Sequence, residues 1–255
     1  MITETWFVNK NSIVRKIWGN ADTALFIFAG AAAEFALNKA VDWLYFTGRL
    51  PADPLGRLFS TVAYARQIIF SEEAAALSAI DKITAIHKGV EENRGAKIPD
   101  WAYRDVLFLL IDYSIRSFEL LERKLIEAEK AEVFDVFYRV GCRMHLAGLP
   151  AGFGEWQEMR KTHLETDLVK SRCTIDLYKQ YKKHLGLVRY VILKQIQLML
   201  APGAVRNLLP LGNIRWINPF LKIYKLFRII KLEGFLKSAL LPSAYKTQIK
   251  ELSIS

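Results

Sequence analysis

The chain has 255 residues, of which 52% are hydrophobic and 24% charged, so it carries enough apolar material for a substantial core and is no disordered tail. Two cysteines, Cys142 and Cys173, exclude a disulfide framework and are not spaced as zinc ligands, which leads us to expect a reducing, cytoplasmic setting. A formal net charge of +10 points to an acidic partner surface, either nucleic acid or anionic lipid.

The N-terminal stretch up to Asn20 carries Glu4 and no apolar run leading to a small-residue cleavage site, so no secretory signal is read there. Ala24 to Ala33 is strongly apolar, but Glu34, Lys39 and Asp42 interrupt it short of the roughly 20 residues a membrane span needs. A buried core helix is expected. The run TGRLPADP then supplies turn residues.

Two helices follow, and they organise the rest. Asp53 is placed to cap a helix with Pro54 at its first position. Arg57, Thr61 and Tyr64 recur at helical spacing, while Leu55, Leu58, Phe59, Val62 and Ile69 cover the other faces. The helix is therefore expected to be buried, with its polar stripe facing something other than bulk water. A second helix is expected after Ser71, with Glu72 and Glu73 in its first turn, His87 in its last and Gly89 at its end.

Beyond it, EENRGAKIP reads as an exposed loop and Asp100 as the cap of a long helix. Asp112 lies in the most apolar part of that helix, either bonded to a core neighbour or serving a site. Further helices are expected over Glu129–Ala147, from GEWQEMRKTHLETDL, from a Thr174 cap to Gly186, onward to Pro202, and in a short piece before Pro210. No stretch alternates with period two. The expectation is one all-α domain of about ten helices spanning 1–255, with no internal repeat.

Several chemistries lack their motifs. There is no phosphate-binding G-x-x-x-x-G-K-[ST], no G-x-S-x-G and no H-E-x-x-H, and Gly152 and Gly154 form a G-x-G without a third glycine or a preceding strand. None of His87, His145, His163 or His184 follows a glutamate at the i−3 position, as a di-iron bundle requires. His163 and Asp167 share a helix face but, flanked by Arg160, Lys161 and Glu165, are expected on a solvated surface.

Singly, a histidine late in a helix or an arginine beside a threonine is ordinary. Together, Asp53, Pro54, Arg57 and Thr61, followed by Ile86, His87 and Val90, resemble the signature of the mpaB/rubber-oxygenase catalytic domain, the family of latex-clearing proteins. The resemblance implies an all-α fold around a buried haem b, with His87 as the iron ligand and Arg57 and Thr61 as catalytic pocket residues. Tyr64 and Asp112 complete the expected cofactor contacts. Dioxygen and a small apolar substrate, isoprenoid or lipid-like, are the implied reactants; the alternative is a helical protein that binds haem, or lies at a membrane, without turnover. The chain departs from latex-clearing proteins at Ser60, where they carry lysine, at Glu92, where many members have glycine, and at Leu110, Ile111 and Asp112, which replace a tryptophan-valine motif. Glu34 and Asp42 are the nearest candidates for the glutamate those enzymes use as a base.

The segment 214–237 alternates Lys222, Lys225, Arg228 and Lys231 with Ile223, Leu226, Phe227 and Ile230. Such a basic amphipathic helix either packs on the core or docks peripherally on an anionic membrane. Nucleic acid is set aside as a partner, since no nucleic-acid motif accompanies it.

Overall fold

A computed structural model describes residues 5–212 together with Pro219; the basic segment at 214–237 lies outside the described residues apart from Pro219. Eleven helices and no strand occur among the described residues: α1 Ile13–Gly19, α2 Ala21–Phe35, α3 Asp42–Phe46, α4 Arg49–Ala52, α5 Pro54–Phe70, α6 Glu73–Arg94, α7 Asp100–Leu121, α8 Glu127–Arg143, α9 Phe153–Thr166, α10 Arg172–Leu200 and α11 Gly203–Leu208. The all-α expectation holds. None of these helices is long and apolar enough to cross a membrane.

Local chemistry sets several of the starts. Ser12 Oγ accepts from Val14 N at 3.0 Å, Asn20 Oδ1 from Asp22 N at 2.9 Å, and Asp53 Oδ1 from Gly56 N at 2.9 Å. Each satisfies a backbone donor that the first turn leaves open. The apolar run at Ala24–Ala33 becomes α2, which is buried along nearly its whole length and packs most extensively on α7. Gly30 permits that approach: a Cβ there would lie 2.4 Å from Tyr113 Cδ1. Trp18, fully buried, ties α1 to α7 by donating from Nε1 to Ser114 Oγ at 3.1 Å.

Several boundaries differ from expectation. α6 does not stop at Gly89 but runs to Arg94, where Gly95, at φ 68°, closes it by donating its N–H to Glu91 and Glu92. An interior glycine costs only about 1 kcal/mol against alanine, too little to end a helix whose next turn is stabilised by other contacts. His87 therefore sits about two turns before the end, not in the last turn, and EENR is helical. α8 is shorter than expected, because His145 at φ 56° and Gly148 at φ 67° take the chain out of helix. Pro99, not Asp100, precedes α7 as its cap. α10 is capped by Ser171 rather than Thr174, and Gly186, at φ 70° and ψ 173°, divides it into two helical stretches at the boundary that was expected.

Candidate functional site

A cavity of about 520 Å³ lies where α3, α4, α5, α6 and α7 converge at the end of α2. Its walls are largely apolar, with Phe35, Trp43, Leu44, Ile86, Val90 and Val106 among them. Into this surface come two guanidiniums, from Arg49 and Arg57, and the imidazole of His87. The size falls within the roughly 300–1,000 Å³ of small-molecule sites, and the few polar groups converge as such sites require.

The electrostatics follow from burial. His87 is held below the usual imidazole pKa, first by desolvation and then by the charge of Arg57, with Glu91 opposing. It is therefore neutral at neutral pH and able to offer a lone pair. Its ring meets Tyr103 edge to face at 5.1 Å, and its buried Nδ1 has no hydrogen-bond partner. Arg57 is lowered by desolvation and by the neighbouring Arg49, with Tyr64 opposing. Neither arginine is paired with a carboxylate among the described residues, and no carboxylate lines the cavity. The cavity thus has apolar walls, a neutral imidazole and an uncompensated positive edge.

Behind the cavity stands a buried ionic network. Glu34, fully buried on α2, accepts from Arg160 Nη1 and, at 2.7 Å, from Nη2. It also meets His163 Nε2 at 2.9 Å and accepts from Tyr113 Oη at 3.1 Å. Arg160 Nη2 reaches Asp112 at 2.8 Å, and Asp112 in turn holds Arg116 Nε at 2.7 Å. His163 Nδ1 faces Asp105 at 2.8 Å and Asp167 at 3.4 Å. Asn38, which lines the cavity, donates to the other oxygen of Asp105 at 2.8 Å and so joins network to cavity.

This network corrects the expectation that His163 and Asp167 lie on a solvated surface: His163 and Arg160 are buried on α9. The charged neighbours Lys161 and Glu165 face outward, while the i, i+3 row turns inward toward the acids of α2 and α7. Burial lowers the His163 pKa, but hydrogen bonds to Asp105 and Glu34 raise it to about 9. Burial pushes the Glu34 carboxyl up, and Arg160 with His163 more than offsets this and holds it well below the usual range. Asp105, His163 and Asp167 also place one ligand atom each within 4.8 Å of one another, a spacing that suits a metal ion.

Residues 15–220 match a family model described as the ER-bound oxygenase mpaB/B'/rubber oxygenase catalytic domain. The chain belongs to the mpaB/rubber-oxygenase family. No curated protein and no solved structure matches it significantly. Membership of this family makes it an oxygenase-type domain. Of the residues singled out in the sequence, the structure brings Arg57 and His87 together in the cavity. Thr61, half-buried, donates its hydroxyl back to Arg57 O at 3.1 Å and does not line the cavity. Tyr64 is half-buried, within electrostatic reach of Arg57 but not on the wall. Asp112 belongs to the ionic network, as does Glu34; Asp42 pairs with Arg94 at 2.7 Å.

The sequence reading missed Arg49, Asn38, Asp105, Arg160 and His163. A signal existed for the last two, because Glu34 interrupts an apolar helix and a buried carboxylate needs cationic partners. Nothing local said which helix supplies them.

Proposed function

We propose that this member of the mpaB/rubber-oxygenase family is a haem b-dependent oxygenase that uses dioxygen on a small apolar substrate of isoprenoid or lipid-like character. The observation that carries this reading is the neutral, half-buried His87 sharing one apolar cavity with the unpaired Arg57 and Arg49. A flat apolar macrocycle bearing carboxylates asks for these groups, and the residues present fit it. His87 would hold the iron, and the two guanidiniums would pair with the propionate carboxylates. When bound, haem supplies a redox-active iron able to activate dioxygen toward a carbon–carbon double bond.

The chain's own residues do the rest. Burial and Arg57 keep His87 unprotonated, so its lone pair is available without competition from a proton. Thr61, bonded to the Arg57 carbonyl, helps fix the α5 turn that presents the guanidinium. The apolar walls accept an alkene chain. Asn38 anchors the cavity wall to Asp105 and thus to the network that locks α2, α7 and α9.

A second reading, haem binding without turnover, is favoured by two features: no carboxylate lines the cavity to act as a base, and His87 Nδ1 lacks the partner that orients most metal-bound imidazoles. Ser60 in place of the family's lysine points the same way.

The test is the visible spectrum of protein purified after expression with a haem precursor. Wild type should show a Soret band, His87→Ala should lose it with unchanged helical circular dichroism, and Arg57→Gln should retain less haem. An unchanged Soret band in His87→Ala would overturn the assignment. Dioxygen uptake and carbonyl products on incubation with a polyprenoid alkene would separate turnover from mere binding.

A further inference from the structure

The positive charge is concentrated in one part of the chain. Between Asp176 and Glu233 there is no acidic residue, against eleven lysines and arginines. The described part of this tract comprises most of α10, then α11 and the residues that follow to Gly212. α10 buries Leu177, Tyr181 and Leu185, a row at i, i+4 and i+8 that faces the core. An unbroken helix would carry that row on to Val188 or Arg189. Gly186 breaks the helix at φ 70°, and beyond it Leu187 is 65% exposed, Val188 73% and Val191 48%. These three aliphatic side chains sit together at i, i+1 and i+4.

Cations surround them. Lys179, Lys182 and Lys183 are exposed in the turns just before the break, and Arg189, half-buried, lies just after it. Asp176, the sole acid on α10, accepts from Tyr45 Oη at 3.1 Å and is thereby engaged with the body of the protein. Bulky exposed aliphatics within a cationic collar are the composition of an interfacial membrane anchor: the apolar groups enter the boundary between headgroups and acyl chains, and the lysines stay among the phosphates. A nucleic acid would use the lysines but gives three exposed aliphatics nothing to bury against, and no fully exposed aromatic here offers a base a stacking surface.

We infer that the Gly186 corner of α10 docks on an anionic lipid bilayer, inserting Leu187, Val188 and Val191. The inference is independent of haem and of turnover. It differs from the expectation for 214–237, although that segment continues the same acid-free tract as far as Glu233.

Co-sedimentation of the full chain with phosphatidylcholine vesicles, with and without phosphatidylserine and at low and high salt, provides the test. Wild type should pellet with the anionic vesicles and be released by salt. The triple variant L187S/V188S/V191S and the triple variant K179Q/K182Q/K183Q should each need at least about tenfold more lipid for half-binding. All six positions are exposed, so their circular dichroism should match wild type. Binding of both variants equal to wild type would overturn the inference, as would wild type remaining in the supernatant throughout. Binding to an RNA or duplex oligonucleotide that anionic vesicles fail to compete would also overturn it.

Discussion

His163 shows how burial and partners act on one side chain. With Glu34 2.9 Å from Nε2 and Asp105 2.8 Å from Nδ1, both ring protons are held and the folded pKa rises from 6.5 to about 9. A raised histidine pKa stabilises the fold fully below the unfolded value, and the contribution is lost as pH rises through the folded one. The shift corresponds to roughly 3 kcal/mol, an order-of-magnitude figure at about 1.4 kcal/mol per unit. Glu34 works in the other direction: its carboxyl is held below its ordinary 4.5, so its contribution is present above that value and fades in acid. Melting temperature should therefore be highest between about pH 5 and 6.5 and decline toward pH 9. In His163→Gln the alkaline decline should flatten; a wild-type profile level across that range would show that His163 carries no such charge.

At the scale of helices, two glycines should respond with opposite signs. Gly30 lies where α2 meets α7, and an added Cβ would sit 2.5 Å from Tyr113 Cε1 and 3.2 Å from Leu200 Cβ. Tyr113 is fully buried and bonded to Glu34, so it has no free path aside. Gly30→Ala should cost about 1–3 kcal/mol by overpacking. Gly89, inside α6, has nothing within 4 Å of the same construction. Gly89→Ala should stabilise by up to about 1 kcal/mol through helix propensity and a less flexible unfolded chain. Urea midpoints at constant slope would read both effects, and a stable Gly30→Ala protein would mean that α2 and α7 separate more easily than their packing indicates.

For the whole molecule, the cavity draws walls from α3 to α7 and from the end of α2, elements spread along much of the chain. A ligand that fills it bridges them all and binds only the folded state, so stability must rise with its occupancy. Haem at about 100 times its dissociation constant should add about 2.7 kcal/mol to wild type. The melting temperature of His87→Ala should not move under the same conditions. Equal shifts in both proteins would place haem elsewhere than on His87.

What the sequence determined by itself was local. Cap chemistry at Asp53 and Pro54, the helical period, and the absence of alternation were enough to establish an all-α chain and most helix cores, because these depend on residues within a turn or two of one another. The signature of Arg57, Thr61 and His87 was likewise legible, since it is carried by two consecutive helices, and the structure sets Arg57 and His87 in one cavity. Only the tertiary structure decided that Arg160 and His163 turn inward to Glu34, some 126 and 129 positions away, that Asp112 joins them, and that Arg49 comes beside Arg57. Helical periodicity tells which side chains share a face but not which face meets which. That choice is made by packing between distant elements, where a buried carboxylate is stable only against the cations that the fold brings to it.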